Sequence, residues 1–423
     1  MAGNREDISD ILNDEEEEVR PRPKDKDDEN IIEVTTGMST RLKLLIALLI
    51  IVVIVAAVVI IRNVLSYRSY NSYKLVSSYQ TTGESTADYY LFADNVLKVS
   101  KEGASYIDAS GDVVWDCGYS INLPEVVVNG DYAVVADING RDVYVFDTSG
   151  KISSQTLDYD ITNVDVASQG VYAVIVTTSE GHMINVYDKY SDEIYDHITY
   201  IENSGYPLDV AISSDGTKLF TSYLNIVDTS LETYLAAYNL SDVGKNENSD
   251  RLVGGYTFEG KVFPIVEFMD NDTVACFGDD CIEIYSMSEK PSLKAEIDLG
   301  DVTIQGIFCS EEYVGYIEKL ETQSGSDDAA NYNIYVYDTS GKLESTISHN
   351  GTYSKVTATS DELIVVGDFD CAVYYYNGTE KFSASFTKSL INFVPYSERL
   401  EYIVVFEDET QFIKLYNDKD KEE

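Results

Sequence analysis

The feature that most constrains this chain is a strand-and-turn unit that recurs along most of its 423 residues. In each copy, an alternating run of β-branched and aromatic residues ends in a polar residue and a turn, as in VYVFDTSGK at 143–151. The polar residue marks eight strand ends: Asp108, Asp147, Asp188, Asn239, Ser286, Asp338, Asn377 and Asn417. Each interval has room for four short strands, which is the period of a propeller blade. The sequence therefore predicts an all-β fold, a β-propeller rather than a sandwich or a β-helix.

The number of blades follows from the same markers. Eight markers favour eight blades, but the chain ends directly after the eighth, so the last unit lacks one strand. The run YKLVSSYQ at 73–80 precedes the first complete unit and can supply that strand. Pairing the two ends would close the ring and remove open sheet edges. Seven blades is the alternative, because the opening strand around 89–94 is poorly defined.

An apolar run at 44–61 contains no charge, glycine or proline. A helix rises about 1.5 Å per residue, so this run just crosses a hydrocarbon core of ~30 Å. We therefore expect a transmembrane helix at 42–62, with a buried core helix as the alternative. Because long domains are translocated largely regardless of their charge, we expect a single-pass protein of the cell membrane, with a cytoplasmic N-terminus and an extracytoplasmic C-terminal domain.

The rest of the chain divides around this run. Residues 1–40 are strongly acidic and contain no aromatic residue, so they cannot bury enough apolar surface to offset the entropy of ordering. We expect a disordered cytoplasmic tail at 1–40, a short linker at 63–72, the propeller at 73–417 and a charged C-terminal tail at 418–423.

Several segments resemble an uncharacterised bacterial family of single-span membrane-anchored proteins, whose exported part is a quinoprotein-like or YVTN-like β-propeller. They include LKVSKEGASYIDASGDVVWD at 97–116 and SGYPLDVAISSDGTKLFTSY at 204–223. The most specific part contains Gly205, Tyr206, Pro207, Asp209, Ser214, Asp215 and Gly216. The resemblance implies export, an anchor and a propeller, and it carries no catalytic residue. Because Trp115 is the only tryptophan, the repeated tryptophan docking of quinoprotein enzymes is absent and no quinone cofactor is expected.

No catalytic constellation stands out, so we predict no catalytic residue, no metal site and no bound cofactor. The three histidines lack the paired spacing of zinc ligands, and there is no nucleophile elbow or phosphate loop. Calcium is the one cofactor kept open, because it prefers carboxylate ligands. The candidate groups are Asp158, Asp160 and Asp165; Asp270, Asp272, Asp279 and Asp280; and Asp368 and Asp370. A solvated acidic rim is the alternative.

Two of the five cysteines lie close in sequence. Cys276 and Cys281 flank the segment FGDD, which reads as a four-residue hairpin loop, so the two side chains could lie opposite each other and form a disulfide. The alternative is that this bond does not form. Cys371 has no local mate, and we expect it to pack as a small hydrophobic residue.

The formal net charge of −44 bears on the choice of partner. It excludes ordinary binding to nucleic acid, which needs clusters of Lys and Arg. A partner should be basic, bridged by cations, or bound through aromatic and apolar patches. We predict a non-catalytic binding or scaffold module for an envelope protein or a wall polymer, of unknown oligomeric state. One alternative is a glycan-active hydrolase or lyase with carboxylates at the propeller centre. The other is a transmembrane sensor that signals through the acidic tail.

Overall fold

The computed structural model describes residues 41, 44–54, 67–80, 87–108, 110–200, 205–320, 332–396 and 399–418. The chain separates into two compact units, residues 1–63 and residues 64–423. In the first unit, residues 44–54 are helical and their apolar side chains are exposed. Among the described residues, no helix is both long enough and apolar enough to cross a membrane. The remainder of the predicted span, the tail at 1–40 and residues 419–423 lie outside the described residues.

The second unit is an eight-bladed β-propeller in which every blade is a four-stranded antiparallel sheet. The chain begins with β1 (Ser72–Gln80), which belongs to the last blade. Blades 1 to 4 then follow in order. Their strands are β2 (Asp88–Phe92), β3 (Asn95–Val99), β4 (Gly103–Ile107) and β5 (Val113–Gly118); β6 (Pro124–Asn129), β7 (Tyr132–Asp137), β8 (Asp142–Asp147) and β9 (Gly150–Thr156); β10 (Asp160–Val166), β11 (Tyr172–Thr177), β12 (His182–Tyr187) and β13 (Glu193–Thr199); and β14 (Tyr206–Ile212), β15 (Lys218–Val227), β16 (Ser230–Asn239) and β17 (Leu252–Glu259).

Blades 5 to 8 complete the ring. Their strands are β18 (Ile265–Phe268), β19 (Thr273–Phe277), β20 (Cys281–Ser286) and β21 (Ser292–Asp298); β22 (Ile304–Cys309), β23 (Tyr313–Lys319), β24 (Tyr332–Asp338) and β25 (Leu343–His349); β26 (Lys355–Ala358), β27 (Glu362–Val366), β28 (Asp370–Tyr375) and β29 (Glu380–Ser385); and β30 (Leu390–Pro395), β31 (Glu401–Phe406) and β32 (Glu409–Tyr416), with β1 as the fourth strand. A short helix, Asp242–Glu247, connects β16 to β17.

Pairing of the two chain ends closes the ring, as the sequence predicts. β1 runs antiparallel to β32, with a register that extends from Ser72 opposite Tyr416 to Gln80 opposite Glu409. The segment before β1 is also fixed. The Tyr70 N–H donates to the Lys381 carbonyl at 2.7 Å, and the Tyr375 hydroxyl donates to the Arg68 carbonyl at 3.2 Å.

The marker residues make the turns that the sequence predicts between the third and fourth strands of the blades. The Asp147 carboxylate accepts the N–H of Ser149 at 2.8 Å, and Asp338 accepts that of Ser340 at 2.8 Å. These side chains replace backbone acceptors in the turn, which is why Asp and Asn recur there.

The hydrophobic core lies between neighbouring blades. In one buried cluster, Val134 and Val145 of blade 2 pack with Val174 and Val176 of blade 3. Between blades 1 and 2, Trp115 stacks on Phe146 with ring centroids 5.3 Å apart. Each blade therefore buries apolar area only against its neighbours, which ties the stability of the ring to its closure.

A buried ion pair within blade 7 is linked to blade 8 by hydrogen bonds. Lys381 is 1% exposed, and its ammonium donates to the Glu362 carboxylate, to the Tyr402 hydroxyl at 2.7 Å and to the Arg399 carbonyl at 2.8 Å. The Tyr402 hydroxyl donates to the other carboxylate oxygen of Glu362 at 2.6 Å. Burial lowers the pKa of Lys381, and the Glu362 charge offsets part of that effect. Three acceptors satisfy the ammonium, so this lysine is structural.

Cys276 and Cys281, the two cysteines considered for a disulfide, are both buried free thiols. The register places Cys276 opposite Glu283 on β20, and Cys281 opposite Asp298 on β21. The hairpin is tighter than expected, because the Gly278 N–H donates to the Cys281 carbonyl at 2.8 Å and Phe277 already pairs with Ile282. The cysteines are therefore offset rather than facing.

Candidate functional site

The first strand of each blade lies nearest the centre of the ring. Each inner strand contacts that of the next blade in the pairs β2 and β6, β6 and β10, β10 and β14, and β14 and β18. In the same way, β22 contacts β26, and β30 contacts β2. Side chains of these inner strands line a central channel, where residues that are far apart in sequence come together. Ionisable side chains from several inner strands face this channel, so we take it as the candidate site.

Three carboxyl groups lie on adjacent inner strands, and we call them the acidic arc: Asp165 on β10, Asp209 on β14 and Glu267 on β18. The Asp165 carboxylate accepts the N–H of Ile212 on the next blade at 2.7 Å. The Asp209 carboxylate accepts the N–H of Val266 on blade 5 at 2.8 Å. Two members of the arc therefore act as clasps between the inner strands of blades 3, 4 and 5.

Burial raises the pKa of every member of the arc. It raises the pKa of Asp165 to about 8, although the N–H donors of Ile212 and Val166 counteract it. It raises the pKa of Asp209 to about 6, against the donors Val266, Asn163 and Val210. Water reaches Glu267 along the channel, but protein atoms surround its carboxyl group. This desolvation, followed by the charge of Asp209, raises the pKa of Glu267 to about 7. The arc therefore holds protons near neutral pH.

Three other charged side chains face the opposite half of the channel, and we call them the channel charges: Asp88 on β2, Glu125 on β6 and Lys355 on β26. Each pairs with the fifth residue of the second strand in its blade, respectively Val99, Ala136 and Val366, so the three share one level of the ring. Burial lowers the pKa of Lys355, and the charge of Asp88 offsets this. Burial and then the charge of Asp88 raise the pKa of Glu125.

The channel charges have no partners within the described part of the chain. None of their side chains forms a hydrogen bond or an ion pair there, although the charge of Asp88 acts on both Glu125 and Lys355. Asn392, at the same level on β30, is satisfied, because its amide donates to the Tyr89 carbonyl at 2.9 Å. A desolvated lysine without a partner inside a ring is costly unless a ligand compensates it.

A cavity of about 580 Å³ occupies this half of the channel. Lys355 and Asn392 lie at its inner end, and Tyr90 and Thr357 form part of its wall. At its outer end it is bounded by turns that follow the inner strands, including Ser360. Its volume lies within the range of small-molecule sites, and it combines apolar walls with a few polar groups.

Two smaller cavities continue outward from this one. A middle cavity of about 230 Å³ shares Leu91, Thr359 and Ser360 with it. An outer cavity of about 320 Å³ shares Ser360 and Arg399 with the middle one. We call the three cavities together the groove. Its outer end is rich in tyrosine and acidic side chains: Tyr67, Tyr313, Tyr375, Tyr376, Glu312, Glu344 and Asp361.

The motif that carries the family resemblance lies at blade 4. Gly205 has φ +86°, and a Cβ there would lie 2.5 Å from the Leu224 carbonyl oxygen, so only glycine fits. The Tyr206 ring packs edge-on against His182, and the centroids are 4.5 Å apart. Pro207 is buried at the start of β14. Of the motif, only Asp209 reaches the candidate site.

The second half of the motif builds the turn after β14. The Asp215 carboxylate accepts the Ser213 hydroxyl at 2.6 Å and the Thr217 N–H at 3.0 Å. The Ser214 carbonyl accepts the Ser168 N–H of blade 3 at 3.0 Å, and Gly216 takes φ +68°. These residues therefore have structural roles.

The acidic groups proposed for calcium are mostly engaged elsewhere. Asp160 pairs with Arg141 at 2.9 Å, and Asp272 pairs with Lys218 at 2.8 Å. Further contacts tie Asp270 to the Asp272 N–H, Asp279 to the Val262 N–H, Asp280 to Lys261 and Asp370 to Thr352. The structure does not bring the three groups together; it places only Asp165 in the channel.

Within the described residues, one group of three side chains has the spacing of metal ligands: Cys281, Glu283 and Glu296, whose ligand atoms lie within 4.8 Å of one another. The Lys261 ammonium lies 3.5 Å from the Cys281 sulfur and 3.6 Å from the Glu296 carboxylate. A cation already occupies the electrostatic position that a metal would take, so the group is better described as a lysine site.

The sequence did not single out Lys355, Glu125, Asp88 or Glu267. Each is one charged residue inside an apolar inner strand, and its neighbours in the channel come from other blades. The only available signal was that these charged residues occupy equivalent positions in different repeats. A charged side chain on the inner strand of one blade lies near the charged side chain at the same position of the next blade. That signal becomes readable only when strand order and register are known.

Comparisons with known proteins agree with this architecture. Residues 66–415 match the model of a family described as "Family of unknown function (DUF5711)". No curated protein matches the chain. Sqt1 from Chaetomium thermophilum is 13% identical over 81% of this chain and 98% of its own, with a TM-score of 0.55. The computationally designed Ika8 protein is 11% identical over 82% and 99%, with a TM-score of 0.50. BamB from Moraxella catarrhalis is 12% identical over 81% and 100%, with a TM-score of 0.49. At these identities the likeness concerns the fold alone.

Proposed function

This chain belongs to the DUF5711 family, whose function is unknown, and we propose that it is a membrane-tethered, non-catalytic binding module that holds an envelope protein or a wall polymer in the groove. In this proposal the apolar run at 44–61 crosses the cell membrane, the acidic tail lies in the cytoplasm and the propeller lies outside. The length of this run, and the absence of charged residues, glycine and proline within it, support a membrane anchor.

The observation that carries the proposal is the groove itself. Three adjoining cavities connect the channel to the rim over blades 6, 7 and 8, through shared lining residues such as Ser360. Such a shape fits an extended ligand rather than a compact one. At the outer end, Tyr67 is 39% exposed and offers an aromatic surface for sugar rings or peptide side chains, whereas Tyr313 and Tyr376 stack on each other at 4.4 Å.

The entry segment contributes to the same surface. Tyr67 lines the outer cavity and packs edge-on against Tyr375, with ring centroids 5.2 Å apart. The Ser69 hydroxyl donates to the Glu380 carbonyl at 2.6 Å, which fixes the segment on blade 7. The described segment before β1 therefore runs beside the groove, and its Tyr67 ring belongs to the surface that a ligand would contact.

Site-specific photocrosslinking tests the proposal. A photoreactive amino acid at Ser360, where the three cavities meet, should give a discrete adduct in membranes that contain the full chain. The matched control is Glu180, an exposed residue in the turn between β11 and β12 of blade 3. Lack of any discrete adduct at Ser360, or the same adducts at both positions, would count against a ligand in the groove.

A glycan-active enzyme is the second candidate, and the acidic arc favours it. Glycoside chemistry needs one carboxyl that is protonated and one that is ionised, and pKa values of about 8 for Asp165 and about 6 for Asp209 meet that need near neutral pH. Against it, backbone N–H groups already occupy oxygens of both. Release of reducing ends from wall glycans that Asp165→Asn and Asp209→Asn both abolish would establish the enzyme. If both variants release as many reducing ends as the parent chain, the acidic arc is excluded as the active site.

A further inference from the structure

Among the described residues, the three channel charges form no side-chain hydrogen bond or ion pair. Elsewhere in the described propeller, buried ammonium groups have acceptors, as Lys381 has with Glu362 and Lys218 has with Asp272. Lys355 has none among the described residues, and it lines the 580 Å³ cavity. A half-buried lysine that is held without a partner beside a cavity indicates an anionic ligand group.

The other two channel charges have the opposite sign. Asp88 and Glu125 lie at the level of Lys355 on inner strands of blades 1 and 2, with blade 8 between Asp88 and Lys355. The charge of Asp88 is felt at both Lys355 and Glu125. A purely anionic ligand would be attracted by Lys355 and repelled by two carboxylates. A purely cationic ligand would be attracted by the two carboxylates and repelled by Lys355.

A ligand that carries both charges satisfies all three groups at once. We propose that the inner end of the groove binds an amino carboxylate, either a free amino acid or the free end of a short peptide, with its carboxylate on Lys355 and its ammonium toward Asp88 and Glu125. This inference rests on the proposed function, because the site is the innermost part of the groove. It specifies the chemistry of the ligand group that reaches the channel.

The remaining walls suit such a ligand. Thr357 offers a hydroxyl beside Lys355 on the same strand, and the apolar faces of Tyr90 and Val394 line the cavity between them. The Asn392 side chain is already engaged, so it closes the inner end rather than competing for the ligand. Small aliphatic side chains fit this mixture of polar ends and apolar walls.

The test uses the full chain in detergent and three related probes in calorimetric titrations. Dialanine carries both charges, N-acetyl-dialanine carries only the carboxylate, and dialanine amide carries only the ammonium. We expect dialanine to bind about ten- to hundredfold more tightly than either blocked form, because each blocked form loses one charge-assisted contact. Equal affinity for a blocked form, or no binding of dialanine at millimolar concentration, overturns the inference.

Two variants assign the charges. Lys355→Met should weaken dialanine about tenfold or more and strengthen dialanine amide, whereas Glu125→Gln should weaken dialanine and strengthen N-acetyl-dialanine. A merely structural role of either residue would not reverse the preference between the blocked forms. Lys101→Met and Glu102→Gln, at exposed positions of blade 1, are the matched controls and should bind like the parent chain. Unchanged preferences in the first two variants overturn the assignment.

The two proposals fail in different ways. If Ser360 crosslinks a partner but dialanine does not bind, the groove binds a ligand without this end group and the inference fails alone. If dialanine binds with the expected dependence on Lys355 but no adduct forms at Ser360, the site takes small amino carboxylates and the extended partner is excluded.

Discussion

The Asp209 carboxylate of blade 4 accepts the backbone N–H of Val266 in blade 5 at 2.8 Å, across the boundary between two blades. Its second oxygen accepts the amide of Asn163 in blade 3 at 2.7 Å. One side chain therefore holds three consecutive inner strands together, at a point where sheet hydrogen bonds do not cross. This contact explains why an acidic residue is placed in an otherwise apolar strand.

Replacing Asp209 by Ala should lower the free energy of unfolding by about 1–3 kcal/mol, because buried donors of Val266 and Asn163 lose their acceptor. Asp209→Asn should lose less, since one oxygen remains. Urea unfolding of the full chain measures both. Asp158→Ala, at an exposed position of the same region, is the control and should change little. An Asp209→Ala midpoint equal to that control would show that the clasp contributes no stability.

The acidic arc predicts that the propeller becomes less stable between pH 6.5 and 8. Folded pKa values of about 8 for Asp165 and about 7 for Glu267 lie far above those of exposed carboxyls, so the folded chain holds more protons than the unfolded chain. The free energy of unfolding therefore falls as the pH rises through this window. His182 and His197 oppose this trend near pH 6.5, because burial lowers their pKa in the folded chain and the unfolded chain therefore binds more protons there.

Urea midpoints at pH 6.5 and pH 8 test this dependence. The midpoint should be higher at pH 6.5, and Glu267→Gln should reduce the difference, since the amide does not titrate. Glu311→Gln, at an exposed turn position, should retain the full difference. A midpoint that rises toward pH 8 in the parent chain would contradict the raised pKa values.

Lys381→Met should destabilise the ring by about 3–5 kcal/mol, because it leaves the Glu362 carboxylate buried without its cation. The double variant Lys381→Met/Glu362→Leu should recover much of that loss, because no charge then remains buried. Thermal or urea unfolding of the single and double variants measures the coupling. The exposed Lys342–Glu344 pair is the control, and Lys342→Met should cost under about 1 kcal/mol. Equal losses in the single and double variants would show that the ion pair is not the source of the effect.

Removal of residues 1–80 should open the ring, whereas removal of residues 1–66 should not. Only the longer deletion removes β1, so it exposes the whole edge of β32 from Glu409 to Tyr416. Unpaired edges favour association between molecules. Light scattering and thermal unfolding should therefore show aggregation and a lower midpoint for the longer deletion alone. Identical behaviour of the two deletions would mean that closure by β1 is dispensable.

The fold was predictable because its signals are local. Turn residues such as Asp147 and Asp338 repeat at the end of each third strand, and their capping contacts need only neighbouring residues. The number of these turn residues predicted the number of blades. Because the last unit lacked one strand, the sequence also predicted that residues 73–80 close the ring. The local reading failed at the hairpin of Cys276 and Cys281, because a two-residue turn and a four-residue loop differ by two positions of register.

The candidate site was largely out of reach of the sequence. Asp165 and Asp209 were noted as acidic or family-like positions, but nothing local shows that they lie side by side on adjacent blades. Lys355 reads as one of many surface lysines, because the sequence does not reveal that Asp88 and Glu125 share its level. Burial by a closed ring creates the site, and it depends on contacts between blades rather than on spacing within one.

The closing strand also sets the order of events during synthesis. Ser72, at the start of β1, donates its hydroxyl to Asp418, which is 346 residues later in the chain. At about 5–20 residues per second, the ribosome needs roughly 20–70 s to make the interval between them. The first strand to emerge is thus the last to find its neighbour. A ribosome that stalls anywhere before β32 leaves the ring unsealed, however many blades have already been made.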